Sequence, residues 1–286
     1  MLSIGILTFN SPNTLYNSLL SYKSSGLLDF TDDVIVVIQP SHRSSEERKI
    51  CEGFSIKKVI VNKTNTLMGG GIDLIQKYAK YEYVLFLECD FRSTLNKVGL
   101  SNILNYSIKL LEDGGDIVRL RSLKNPGHPI QYNLYKNIFD VQNIENNSHD
   151  SMTQMYLMTH YMENPENVLK QYISKTNDNP ITYLMSSKHA CYTNNPHIVS
   201  KRFYNEYIKQ HAVNGSHVEP SIGMVWSNYE HKVYITSGCF THMRMDGHNG
   251  CHCCRTEYGG VSNNCTTLCC DKEIKHPKKF EDKDLL

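Results

Sequence analysis

Val34-Ile35-Val36-Val37-Ile38 is an unbroken run of β-branched residues with no polar side chain to mark a solvent face. Successive side chains of a strand point to opposite faces, so such a run fits a strand buried on both sides. Strands of that kind belong to parallel sheets covered by helices on each face. The surrounding pattern agrees. Leu2 to Leu7 is an apolar strand, and Lys58 to Val61 and Tyr83 to Leu87 are further strands. Between them lie helical segments. Thr14 to Tyr22 carries Leu15, Leu19 and Leu20 behind the start signal Ser11-Pro12-Asn13. A polar helix is expected near Ser44 to Gly53, and Ile72, Leu74, Ile75, Tyr78 and Ala79 give an apolar face after Gly69-Gly70-Gly71. Leu100 to Leu111 predicts another helix, closed by Gly114-Gly115, and Asp116 to Leu120 the next strand. This alternation predicts an α/β fold with a mostly parallel central sheet flanked by helices.

The second half is less periodic. From about Asn125 to Asn179 the chain is polar and Asn-rich, which predicts long loops around helices near Ser151 to Tyr161 and Pro165 to Ile173. Strands are expected at Ile181 to Met185, Ala190 to Thr193 and Val233 to Thr236, and a helix around Val199 to His211. No internal repeat is found. Beyond Gly247 the chain turns rich in Cys, Gly and Asn, which marks residues 247–286 as a small Cys-rich appendage.

The 286 residues are 40% hydrophobic and 21% charged, ordinary for a globular protein with a sizeable core. The formal net charge is +1, from 30 basic and 29 acidic residues, so no bulk field favours nucleic acid or an anionic membrane. Residues Met1 to Phe9 lack a basic segment and a cleavage site, so they are expected to form a strand and not a signal peptide. No apolar run approaches the length of a membrane span. A cytoplasmic protein is expected, in which sequons such as Asn62-Lys63-Thr64 go unused.

The chemistry-bearing residues gather in a few pieces. Glu88-Cys89-Asp90 follows the apolar run Tyr83 to Leu87, placing two carboxylates where a buried strand runs out into a loop. Carboxylates there need water, a cation or a polar ligand. Oxygen donors of this kind suit a hard divalent ion that also holds substrate phosphates. They are equally the stuff of ordinary solvated turns. The first strand ends in Thr8-Phe9-Asn10. Asn65 precedes Gly69-Gly70-Gly71, whose backbone N–H groups favour an anion if they open a helix, although a tight strand–helix turn explains the glycines as well. Later come His217-Val218-Glu219-Pro220-Ser221-Ile222-Gly223 and Phe240-Thr241-His242-Met243-Arg244.

In the order and spacing of these pieces, residues 2–245 resemble the GT-A glycosyltransferases, especially the inverting family 2-like enzymes. The resemblance implies a GT-A-like (Rossmann-like) domain over residues 1–246, with a nucleotide-sugar-binding half at 1–120 and an acceptor-binding half at 121–246. It implies that Asp90 holds the catalytic Mn²⁺ or Mg²⁺ and that Glu88 takes the first acidic position of a D-x-D-type motif. Thr8, Phe9 and Asn10 match the loop that touches the nucleobase, Glu219 stands at the general base ahead of Trp226, and His242 matches a late metal ligand. Two departures are plain. The second strand ends in Gln39, a neutral amide where the family usually has an acid, and the first acid of the motif is Glu. The implied partners are a nucleotide-sugar donor, UDP-linked before GDP-linked, and a hydroxyl on a glycan or protein-linked glycan. Gly70 and Arg244 join the expected donor site. Arg119 and Arg121 could clamp phosphates bidentately or form structural ion pairs. His128 falls in the segment expected to shape the acceptor site.

Two rivals stand beside this reading. A sugar-phosphate nucleotidyltransferase shares the sheet but wants a basic, Gly-rich loop where Thr8-Phe9-Asn10-Ser11-Pro12 stands. A non-catalytic nucleotide- or glycan-binding or zinc-organised interaction protein would need neither Asp90 nor Glu219 for its function. Six of the ten cysteines lie between Cys251 and Cys270. Cys251, Cys254, Cys265 and Cys270 would suit a tetrahedral structural Zn²⁺. A disulfide-stapled knot and free thiols remain alternatives. Cys51, Cys89, Cys191 and Cys239 are expected as small buried hydrophobes.

Overall fold

The computed structural model describes residues 1–127, 149–213 and 218–243. The first half alternates as the sequence requires: β1 (Leu2–Phe9), α1 (Pro12–Ser24), β2 (Val34–Gln39), α2 (Ser44–Gly53), β3 (Lys58–Val61), α3 (Leu67–Tyr78) and β4 (Tyr83–Glu88). These four strands lie side by side as β3-β2-β1-β4, all parallel. Their alternating residues feed two cores. Ile35, Val37, Val84 and Phe86 pack on one face with Ile72 and Ile75 of α3. Val36, Ile38, Leu85 and Leu87 pack on the other with Leu15, Leu19 and Tyr22 of α1 and Cys51 of α2. The continuous β-branched run is therefore a strand buried on both sides.

After β4 come a short β5 (Phe91–Ser93), α4 (Lys97–Glu112) and β6 (Ile117–Arg121). Asn96 caps α4 by accepting from the Gly99 N–H at 3.0 Å. The second half adds α5 (His149–Tyr161), α6 (Pro165–Val168), β7 (Ile173–Asp178), β8 (Ile181–Ser186), β9 (His197–Ser200) and α7 (Lys201–Phe203). A π-helical turn, Tyr204–Ile208, carries α7 into α8 (Lys209–Ala212); α9 (Val218–Trp226) and β10 (Lys232–His242) follow. Together the described strands make one sheet in the order β3-β2-β1-β4-β9-β6-β10-β8-β7, with β5 paired to β10. β9 runs antiparallel between β4 and β6, β10 is parallel to β6, and β8 and β7 close the edge as an antiparallel pair.

Sequence and structure part company in the second half. The helix expected over Pro165 to Ile173 is a single turn, and Ile173 opens β7 instead. The strand expected at Ala190 to Thr193 is irregular backbone, because side chains take its polar groups. Trp226 Nε1 donates to the Ala190 carbonyl at 2.7 Å, and the Arg119 guanidinium donates to that of Cys191. The ladder forms later, in β9, where Phe86 of β4 and Arg119 of β6 both lie opposite His197. The last strand extends six residues beyond Thr236, to His242. A register shift between Ile235 and Phe240 bends it toward β5. Gly238 sits in that bend at φ +68°, where a side chain would run into the Arg121 carbonyl.

Cys51, Cys89, Cys191 and Cys239 are buried free thiols. Cys251, Cys254, Cys265 and Cys270, Arg244, His128 and the appendage 247–286 lie outside the described residues. No helix among the described residues is long and apolar enough to cross a membrane.

Candidate active site

The carboxyl ends of β1, β2, β4 and β6 define one edge of the sheet, where open α/β sheets gather ligands. Asp90 sits in the turn just past β4 and is 5% exposed. His242 arrives at the same place from the end of β10. Its Nε2 lies 3.2 Å from Asp90 Oδ2, and the Met243 N–H donates to the Asp90 carbonyl at 2.6 Å. The pairing of β5 with β10, which sets His242 opposite Phe91, fixes this approach. The Phe91 ring meets the imidazole edge-on at 5.2 Å.

Two residues that the sequence reading missed hold the turn from beneath. Ser18 Oγ donates to the Cys89 carbonyl and the Tyr22 hydroxyl to the Phe91 carbonyl, each at 2.5 Å. They lie one helical turn apart on the buried face of α1 and bracket Asp90. Burial holds the Tyr22 hydroxyl far above its usual pKa, so it stays a donor. The signal in the sequence was a serine between Leu15 and Leu19 on the buried helix face.

A carboxylate oxygen and an imidazole nitrogen this close could offer two donors to a divalent ion. Oxygen with one nitrogen suits Mn²⁺ better than Mg²⁺. Among the described residues there is no group of three or more His, Cys, Asp or Glu that could hold a metal. The remaining positions would fall to substrate phosphates and water, as is usual for such ions.

The other expected donor-site residues are placed as follows. Glu88 ends β4, half-buried at the sheet edge. Thr8 is buried, and its hydroxyl donates to Glu47 Oε1 at 2.6 Å. The same carboxylate oxygen accepts the Ser11 N–H at 3.0 Å. Glu47, fully buried on α2, thus clips the loop between Thr8 and Ser11. Within that loop Phe9 is 46% exposed, and Asn10 adopts φ +51°, a conformation in which asparagine is enriched among residues with a side chain. Gln39 is buried and turned to its own chain. Its amide donates to the Leu67 carbonyl at 2.6 Å and accepts from Asn62 Nδ2 and the Thr66 N–H at 3.0 and 3.2 Å. Gly70 lies in the first turns of α3, where a Cβ would meet the Thr66 side chain.

Glu219 stands in the first turn of α9, and its Oε1 accepts the Asn194 N–H at 2.6 Å. The irregular segment 190–195 is held between two elements: Trp226 and Glu219 from α9, Arg119 and Arg121 from β6. Arg121 donates to Asn195 Oδ1 at 3.1 Å, to the Pro126 carbonyl at 2.6 Å and to the Tyr161 hydroxyl at 3.0 Å. Tyr161 in turn donates to the Gly127 carbonyl, and Gly127 bridges to His242. Arg121 therefore supports the His242 side of the edge through Gly127. Tyr192 connects the two carboxylate sides. Burial first, then the charge of Glu219, with a smaller part from Glu88, drives its hydroxyl well above the usual value.

No family model matches the sequence, and no curated protein matches it. Solved structures with a similar backbone include residues 1–349 of TarS from S. aureus, at 15% identity and a TM-score of 0.47, over 84% of this chain and 60% of that one. A nucleotidyl transferase from Methanothermobacter is similar at 12% identity and a TM-score of 0.43, over 85% and 88%. The mannosyltransferase PcManGT from Pyrobaculum calidifontis, solved with GDP-Man and Mn²⁺, is similar at 10% identity and a TM-score of 0.45, over 84% and 56%. The chain spans less than two thirds of the TarS and PcManGT chains it matches.

Proposed function

We propose that this chain is a metal-dependent glycosyltransferase that moves a sugar from a nucleoside-diphosphate sugar to a hydroxyl acceptor, with inversion. The observation that carries the reading is the meeting of Asp90 and His242, 3.2 Å apart although 152 residues separate them in sequence. The resemblance noted from sequence assigns both positions to one metal site, and the fold brings them to the carboxyl edge of the sheet. A divalent ion there would stabilise the charge that grows on the departing diphosphate. Asp90 and His242 would hold it, Glu88 would face the donor from the end of β4, and the Thr8–Ser11 loop would carry the nucleobase. UDP is the proposed donor nucleotide and GDP the alternative. Gln39, committed to the Asn62–Leu67 loop, leaves base recognition to Phe9 and backbone groups.

Glu219 is the proposed base. It takes the acceptor proton as the hydroxyl oxygen attacks the anomeric carbon from the side opposite the diphosphate, worth roughly 10²–10⁴-fold in rate. A structural role for Glu219 is also supported, since one of its oxygens accepts the Asn194 N–H. Glu219→Gln separates the two, because a glutamine carbonyl still accepts that hydrogen bond but takes no proton. The test is hydrolysis and transfer across a panel of nucleotide sugars with Mn²⁺, for the native chain and for Asp90→Asn and Glu219→Gln. We expect turnover of one donor nucleotide class, lost by roughly 100-fold or more in Asp90→Asn. Transfer should fall by roughly 10²–10⁴-fold in Glu219→Gln at unchanged melting temperature. Turnover of no donor, with no nucleotide raising the melting temperature, overturns the proposal.

A further inference from the structure

One row below the site edge lies Arg119, opposite His197 in the β6–β9 ladder and 1% exposed. Its guanidinium donates to the Cys191 carbonyl through Nη2 and lies over the Tyr156 ring, 4.7 Å from the centroid. Nε and Nη1 have no hydrogen-bond partner, and no carboxylate makes an ion pair with this arginine among the described residues. A buried cation in that state is costly unless an acceptor meets it.

Two more donors converge there. The Tyr156 hydroxyl lies against the guanidinium without hydrogen-bond geometry, and the Tyr192 hydroxyl stands in the field of Arg119 and Glu219. Both phenols are buried and unpartnered, and burial keeps them protonated. The neighbouring His197 is held neutral by burial, its pKa lowered to about 4, so it adds no second positive charge. The orphan groups are thus Nε–H, both hydrogens of Nη1 and two phenolic O–H. Only the Asn194 side-chain oxygen, on the same segment as Tyr192, is an unpartnered amide acceptor nearby in sequence. A neutral sugar hydroxyl adds a donor of its own beside its two lone pairs and so balances such a set less well. A phosphoryl or carboxylate group brings acceptors alone. Glu88 and Glu219, close enough for their charges to act on Tyr192, are half-buried and so within reach of solvent.

We propose that Arg119, Tyr156 and Tyr192 form an anion-binding subsite beneath the carboxyl edge of the sheet, which takes a phosphoryl or carboxylate group carried by the acceptor. That the anion belongs to an acceptor rests on the glycosyl-transfer reading; that the subsite binds an anion does not.

The probe is inorganic phosphate, titrated by calorimetry at constant ionic strength in EDTA, so that no metal-bridged binding contributes. The native chain should bind phosphate saturably. Arg119→Met should weaken it by roughly tenfold or more, and Tyr192→Phe and Tyr156→Phe by roughly three- to tenfold. The phenylalanine variants remove one hydroxyl each and keep the test alive if Arg119→Met does not fold. Lys170→Ala/Lys232→Ala strips both lysines from the separate pocket of about 370 Å³ beside β7 and β8, and should leave affinity unchanged. No saturable binding overturns the inference. So does equal binding in the tyrosine variants, or loss only in the lysine variant, which would mark an adventitious ion only. If phosphate binds as expected while no nucleotide sugar turns over, the subsite stands and the transfer reading falls. If a donor turns over and phosphate does not bind, the reverse holds.

Discussion

His197 shows how much one buried ring governs. It packs against Phe86 and Tyr192, and its Nδ1 lies 2.8 Å from the Asn195 carbonyl. Burial lowers its pKa to about 4. The unfolded chain, near 6.5, takes up the proton first, so the contribution to stability is complete above about pH 6.5 and is lost as pH falls toward 4. The loss is on the order of 3 kcal/mol. His189, His211 and His231 are lowered by burial too and act in the same direction. Urea midpoints from pH 7 to 4.5 should fall steeply in the native chain and less in His197→Asn, whose side-chain N–H can replace Nδ1–H. An equal fall in both would assign the acid sensitivity elsewhere. Asp90 and Glu219 stand out in the sequence as single residues, because one carboxylate follows an apolar run and the other directly precedes a proline. Ser18 and Glu47 were not read as parts of the site. A buried polar residue announces itself only through its partner, and those partners lie 71 and 39 positions away.

Among the elements, α1 and β10 do the most to shape the site. α1 reaches across the sheet edge with Ser18 and Tyr22 to fasten both sides of the Asp90 turn. Ser18→Ala and Tyr22→Phe should each cost about 1 kcal/mol of stability and leave a carbonyl poorly satisfied. Together they should weaken Mn²⁺ binding, followed by electron paramagnetic resonance, without touching a metal donor. Unchanged Mn²⁺ affinity in the double variant would show that β5 and β10 alone fix the turn. Gly127 is the counterpart on the other side. At φ +77°, packed on the His242 backbone, it tolerates no side chain. Gly127→Ala should displace His242 from Asp90 and lower Mn²⁺ affinity at nearly native secondary structure. Periodicity revealed α1 and the parallel strands because they are buried on regular faces. It missed β5, β7 and β9, each six residues or fewer, whose pairing is decided by what lies opposite.

For the molecule as a whole, the fold class was readable because β1, β2 and β4 are adjacent parallel strands buried on both sides. The antiparallel additions were not, since β9 is inserted between β4 and β6 from far downstream. A ligand that binds only the native state raises its melting temperature by mass action. UDP with Mn²⁺ should therefore stabilise the native chain by several degrees, less so in EDTA, and Asp90→Asn should erase the metal-dependent part. A shift indifferent to EDTA would place the nucleotide away from Asp90. One feature also ties chemistry to biosynthesis. β10 slots between β6 and β8 and delivers His242 from its final residue. While translation is under way, a ribosome-tethered polypeptide already carries the Asp90 turn but not yet the residue that comes to lie against it. A stop codon upstream of this strand would leave the β7–β8 hairpin without the neighbour that joins it to the rest of the sheet.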